Sequence, residues 1–171
     1  MAIETTTTTA SRERVTALRA EAAAKVAETT ALFASLTPAQ AAVRTEIGWT
    51  VAATAAHLAL ATGFAAVTVR DLRRGKVPNI PMPVLNAANY VYTRVAARKP
   101  LDKSVPHLRD GIARALLLLD DWTDADLDVR FTKPFLFNPE THGKALHNAL
   151  IGHQDMHVGQ VRRALGTDEG R

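Results

Sequence analysis

Residues 146–164 of this chain read LHNALIGHQDMHVGQVRRA, and apolar side chains recur through them every three or four positions. That spacing places one stripe of side chains along a single face of an α-helix. The stripe consists of Leu146, Ala149, Leu150, His153, Met156, His157, Gln160, Val161 and Ala164. Glycine often ends a helix, and Gly166 lies two residues after the end of the stripe. We therefore predict a long helix from about Thr141 to Leu165, with two histidines and a glutamine on its buried face.

Other segments carry helical stripes of the same kind. The predicted long helices cover residues 11–35, 50–75 and 104–122, and a shorter helix covers 85–98. Ser11 and Thr50 are the predicted N-caps of the first two, and Pro106 falls in the first turn of the third. Residues 76–83 are a proline-rich loop, and the connection 123–140 includes a segment that we predict as extended, 127–131. We predict an all-α fold, a four-helix bundle with one short additional helix.

Length and composition agree with one globular domain. The chain has 171 residues, of which 47% are hydrophobic and 22% are charged. A threonine run marks the first ten residues, which we predict to be a disordered N-terminal tail. Residues 11–171 are then predicted to form a single helical domain.

Charge and cysteine content exclude several classes of function. The net charge of +4 comes from 21 basic and 17 acidic residues of interspersed sign, which indicates a solvated surface and no nucleic-acid partner. The absence of cysteine excludes disulfides, cysteine-ligated zinc and a protein thiol nucleophile. No secretory signal and no apolar run of membrane-spanning length is visible. We predict a cytoplasmic protein without a membrane partner.

Three histidines are the strongest candidates for a functional site. His153 and His157 are four residues apart and project from one face of the last helix. His57 lies on the predicted buried stripe of the second helix: Ala53, Thr54, His57, Leu60, Ala61, Phe64 and Val67. Buried imidazoles need partners, and three that converge could hold a divalent metal with open coordination positions. The alternative is that these are core histidines satisfied by hydrogen bonds.

Neighbouring polar residues receive weaker assignments. Gln160 shares the histidine face, where it either orients a ligand imidazole or satisfies polar atoms of the core. Asp155 points away from that face, so we predict neither a ligand nor a general base there. His142 either borders a pocket or simply begins the helix. Trp49 is predicted as a core residue or a hydrophobic staple rather than a substrate contact, and the sequence identifies no catalytic residue.

Two motifs together resemble the DinB/YfiT-like superfamily. They are the stretch Gly48-Trp49-Thr50-Val51 followed by Ala56-His57-Leu58, and the later His153-x-x-x-His157-x-Gly159-Gln160. The resemblance covers residues 11–166 and extends to the thiol S-transferase branch and the N-terminal domain of mycothiol-dependent maleylpyruvate isomerases. It implies a bundle that is often a homodimer, with zinc or nickel held by His57, His153 and His157.

The resemblance also implies a chemistry. Family members of known activity use a low-molecular-weight thiol such as mycothiol or bacillithiol. The first hypothesis is therefore metal-dependent transfer of such a thiol to a small electrophile; because the chain lacks cysteine, the sulfur would come from a cosubstrate. Metal-assisted hydrolysis is a variant of it. The alternative is a metal-binding bundle without catalysis that acts in sensing or as an interaction scaffold, and a third reading is a degenerate site.

Overall fold

The computed structural model describes residues 11–77, 80–96, 100–132 and 138–167, and helices dominate them. The elements are α1 (Glu13–Ala34), α2 (Pro38–Ala41), α3 (Val51–Arg73), α4 (Met82–Ala96), α5 (Leu101–Leu117), α6 (Asp124–Asp128), α7 (His142–His147), a π-helical turn (Asn148–Gly152) and α8 (His153–Leu165). Within these ranges β-structure is limited to two isolated bridges. The all-α prediction is confirmed. The proposed tail, residues 1–10, lies outside the described residues, and the single domain stays a prediction.

Ion pairs show that α1 and α8 run in the same direction. The residue numbers rise together along α1 and along the continuous helix formed by α7, the π-helical turn and α8: Glu21 pairs with His147, Lys25 with Asp155, and Glu28 with Arg162. Between α8 and α3 the residue numbers run in opposite directions. Arg163, near the end of α8, pairs with Glu46, which precedes α3, whereas His153, at the start of α8, meets His57 within α3. The last helix is therefore parallel to α1 and antiparallel to α3.

Helices α3 and α5 are parallel neighbours and form the most extensive helix pair. Gly111 of α5 lies against Thr62 of α3, and Arg73 at the end of α3 pairs with Asp126 just beyond α5. Two parallel neighbours cannot be joined by a tight turn, so the chain between them must return along the length of α3. Helix α4 occupies that return and packs on α3.

One apolar core lies between the long helices. Phe33 of α1, Leu58 of α3, Leu108 of α5 and Leu146 of α7 are each fully buried in it. Burying a side chain of this size stabilises the fold by roughly 1.5–3 kcal/mol. Helix α3 is long and apolar enough to cross a membrane, but 56% of its most apolar window is buried inside the protein, as in a core helix.

Helix starts show where local prediction succeeds and fails. Thr50 caps α3 as predicted, since its hydroxyl accepts a hydrogen bond from the amide of Ala53. Ser11 does not cap α1, because the carboxylate of Asp124 accepts hydrogen bonds from the amides at its start. The third long helix begins at Leu101, ahead of the prediction, and so Pro106 lies inside it.

Other predicted boundaries also shift. Helix α4 begins at Met82 rather than Leu85, and its predicted end at Arg98 lies outside the described residues. The segment 127–131 is helical up to Asp128, with only Arg130 in an isolated bridge. On α3, Phe64 is 51% exposed and Val67 36% exposed, so the predicted buried stripe was wrong at these two positions.

The last predicted helix is continuous but contains the π-helical turn. Such a turn holds one extra residue, so each residue after it takes the place that the preceding residue would have in a regular α-helix. Consequently Gln154 is buried and Met156 is 53% exposed, whereas the regular stripe placed Met156 inside. The turn ends at Gly152, and His153 is the first residue of α8.

Candidate metal centre

His57, His153 and His157 come together between α3 and α8. One ring nitrogen from each lies within 4.8 Å of the others, and no carboxylate or other histidine of the described residues joins this group. The Nε2 atoms of His57 and His153 are 3.0 Å apart. The centroids of the three rings are 4.8–5.1 Å apart. Two elements distant in sequence thus bring three imidazoles to one point.

Burial keeps these imidazoles neutral. Desolvation, together with the neighbouring His157 and His153, lowers the pKa of His57 to about 3. Desolvation and the neighbouring His157 lower the pKa of His153 to about 4. Burial also lowers the pKa of His157, against the opposing effect of its hydrogen bond to Gln160. At neutral pH all three rings therefore offer a lone pair and carry no charge.

Gln160 determines which nitrogen of His157 is free. The Nδ1–H group of His157 donates a hydrogen bond to Oε1 of Gln160 at 2.8 Å. Because a neutral imidazole has one N–H, the lone pair of His157 then belongs to Nε2. Both residues are buried, so solvent does not compete for this hydrogen bond. That Gln160 orients His157 as a metal ligand stays a prediction.

Trp49 covers one side of the cluster. Its indole is nearly parallel to the ring of His157, at 5.8 Å between centroids and an interplanar angle of 20°, and lies 4.9 Å from the ring of His57. The sequence prediction for Trp49 was a core or staple residue, and it missed this contact with the histidines. The spacing of Trp49 and His57 in sequence was the available signal, since a residue just before a helix start can fold back over its first turns.

The turn that carries Trp49 is held at both ends. The amide of Thr45 donates to the carbonyl of Trp49 at 2.8 Å, and Gly48 has a φ of +82°, a conformation that favours glycine. Arg163 at the end of α8 makes two hydrogen bonds to the carboxylate of Glu46. The turn is therefore fastened to the same helix that supplies His153 and His157.

The remaining candidates lie elsewhere. Asp155 pairs with Lys25 on the outer side of α8, in agreement with its exclusion from the ligand set. His142 is half-buried at the start of α7 beside the rings of Trp122 and Phe131, which agrees with a helix-start residue. His107 is exposed and contacts the carbonyl of Lys103.

The donor type fits a divalent metal, and one pair of donors has the spacing of metal-bound nitrogens. Two nitrogens that each lie about 2.0–2.1 Å from one zinc ion are about 2.9 Å apart at right angles and about 3.3 Å apart at the tetrahedral angle. The 3.0 Å between Nε2 of His57 and Nε2 of His153 falls in this interval. Nδ1 of His57 is buried without a hydrogen-bond partner among the described residues, whereas its Nε2 lies against Nε2 of His153.

Comparison with known proteins places the chain in a family. The family model of the DinB superfamily matches residues 7–161. The chain belongs to the DinB superfamily. No curated protein and no solved structure matches it significantly. DinB membership accounts for the helical fold and agrees with a site that could bind a divalent metal; the branch within the DinB superfamily, the metal and the substrate are subjects of the proposal below.

Proposed function

We propose that this DinB protein is an enzyme in which His57, His153 and His157 hold a zinc or nickel ion and a low-molecular-weight thiol is transferred to a small electrophile. The observation that carries the proposal is the convergence of three neutral imidazoles in a buried cluster. The homodimer and the cytoplasmic location predicted from the sequence belong to the same proposal.

An incomplete ligand set favours catalysis over a structural role. Structural zinc sites have four protein ligands, whereas catalytic sites have three and leave a position for substrate. Three histidines form the group here, and the described residues supply no fourth histidine or carboxylate to it. His57 and His157 are only 6% and 3% exposed, whereas His153 is half-buried, so the cluster is most accessible on the side of His153.

The neutral ligand set also suits a thiol. Three imidazoles leave the full charge of a divalent ion uncompensated, and that charge, when the ion is bound, lowers the pKa of an entering thiol. In the proposed transfer, sulfur bonds to the electrophilic carbon, the leaving group departs with the electron pair of its bond, and the thiol proton goes to solvent. Trp49 and the buried histidines exclude water from the other side of the centre.

Metal content tests the ligand set directly. We expect untagged protein to contain nearly one equivalent of metal by elemental mass spectrometry, and His57→Ala and His153→Ala to lose it. His107→Ala is the matched control, because His107 is exposed and outside the cluster. Parent protein that contains little metal and takes up neither zinc nor nickel would contradict the proposed centre.

A second measurement separates the enzyme from the non-catalytic scaffold. In cobalt-substituted protein, a small thiol that enters the centre produces a sulfur-to-cobalt charge-transfer band in the near ultraviolet. We expect such a band with a small thiol, and thiol-dependent consumption of an electrophile in the zinc or nickel protein. Stoichiometric cobalt with no spectral response to thiols would favour the scaffold.

A further inference from the structure

A cleft between α3 and α4 begins one helical turn from the histidine cluster. It has a volume of about 520 Å³, and its lining includes Leu60 and Phe64 from α3 and Leu85, Ala88, Asn89 and Tyr92 from α4. Small-molecule sites have volumes of roughly 300–1,000 Å³ and mostly apolar walls with a few polar groups. The two polar side chains of this lining, Asn89 and Tyr92, are both half-buried.

Helical register connects the cleft to the cluster. Leu60 and Phe64 follow His57 by three and seven residues, so they lie about 4.5 Å and 10.5 Å further along α3 on nearly the same face. His57 is buried at the start of this face, whereas Phe64 is 51% exposed two turns later. The face thus passes from the imidazoles to an open apolar floor, and α4 forms the wall beside it.

Helix α4 leaves several apolar side chains exposed to solvent. Val84, Val91 and Val95 are each more than half exposed and line the same cleft. Helix α4 packs only against α3 among the elements with extensive contacts. Apolar surface that remains open beside a polar centre is typical of a ligand-binding groove.

We propose that this cleft binds an apolar alkyl or aryl group of the small electrophile, whose reactive end lies at the histidine centre. The inference rests on the proposed function, because it assigns the substrate class of the same site. Mycothiol and bacillithiol are polar, so an apolar groove suits the electrophile rather than the thiol. The enzyme would then select electrophiles with an extended apolar substituent.

Hydroxamates with short and long tails test the proposal without turnover, since the hydroxamate group binds the metal. In cobalt-substituted protein we expect octanohydroxamate to bind at least about tenfold more tightly than acetohydroxamate, because each buried methylene raises affinity. Ala88→Trp fills the cleft from an exposed position on α4 and should reduce this ratio to near one. Leu117→Ser, in a separate shallow groove between α3 and α5, should leave it unchanged. Equal affinities in the parent, or an equal ratio in Ala88→Trp, would overturn the proposal.

A metal-free measurement separates the cleft from the centre. Hexan-1-ol added to metal-free protein should shift the methyl NMR signals of Leu60, Val84 and Leu85, and not those of Leu117 and Leu118. If these shifts are present and neither hydroxamate binds, the result contradicts the proposed metal centre and supports the cleft as an apolar binding site. If the shifts are absent and both hydroxamates bind with equal affinity, the result supports the metal centre and contradicts the cleft as the substrate site. A dimer that Ala88→Trp converts to monomers in light scattering would assign the cleft to a second copy and overturn the proposal.

Discussion

Oε1 of Gln160 lies 2.8 Å from Nδ1 of His157, one turn further along the same helix. This hydrogen bond fixes the tautomer that directs Nε2 toward the cluster. We expect Gln160→Leu to weaken metal binding by about 10- to 100-fold, as is usual when such a partner is removed. Gln160→Glu keeps an acceptor oxygen and should retain most of the affinity. Competition titration with a chelator measures both, and unchanged affinity in Gln160→Leu would assign Gln160 to core packing alone.

Trp49 should report on occupancy of the centre. The chain has two tryptophans. Trp122 is buried near the start of α1, where Arg12 donates a hydrogen bond to its carbonyl. Because Trp49, and not Trp122, contacts the histidines of the cluster, we expect nickel to quench its fluorescence at one equivalent. Quenching should persist in Trp122→Phe and disappear in Trp49→Phe. The reverse pattern would place the nickel site elsewhere.

Gly111 allows α3 and α5 to approach closely. A Cβ atom there would lie 2.5 Å from Oγ1 of Thr62 and 2.8 Å from its backbone carbon. We expect Gly111→Ala to lower the free energy of unfolding by about 1–3 kcal/mol, because the helices must separate. Gly63→Ala is the matched control: its Cβ meets nothing within 4 Å, so it should stabilise α3 by about 1 kcal/mol. Urea denaturation compares the two.

Asp124 should stabilise α1 in a pH-dependent way. Its carboxylate accepts hydrogen bonds from the Ser11 hydroxyl and from the amides of Val15 and Arg14, and these bonds lower its pKa below the ordinary value of 3.8. A lowered pKa means that the stabilisation is complete well above pH 3.8 and is lost as the pH falls through the lowered value. Asp124→Ala should therefore melt earlier than the parent at pH 7, and the difference should shrink near pH 2. Asp121→Ala, which removes a neighbouring exposed carboxylate, is the control.

Acid should destabilise the metal-free protein through the cluster itself. The folded pKa values of His57 and His153, about 3 and about 4, lie below the ordinary value of 6.5. The unfolded chain therefore binds protons first as the pH falls, and stability decreases below pH 6.5. At pH 5 the loss is about 2 kcal/mol for each residue. Thermal unfolding from pH 7 to pH 5 checks this, and His57→Gln should flatten the curve of stability against pH.

Local patterns predicted the features that depend on neighbours in sequence. Thr50 precedes an apolar run and caps α3, and Gly166 ends α8 in the left-handed conformation. Periodicity also placed His57 and His157 on buried faces. These features follow from side chains within one or two helical turns, so a single sequence contains the information.

Features that depend on distant residues were missed. Asp124 reaches the start of α1 from more than 100 residues away, and no pattern around Ser11 indicates it. Phe64 is apolar and correctly spaced, yet the packing of α4 leaves it exposed. The π-helical turn has no distinctive composition, so the stripe after it was misplaced at Met156 although the histidines still converge.

The π-helical turn also gives the last helix one spare residue. Because the turn already holds one residue more than a regular α-helix needs, the loss of a single residue between Asn148 and Gly152 would leave a regular helix with His153 and His157 still facing His57. A second loss there has nothing to absorb it and would turn both histidines by about 100°. In related genes, a chain one codon shorter at this turn therefore keeps its three histidines together, whereas a chain two codons shorter carries the same histidines and no centre.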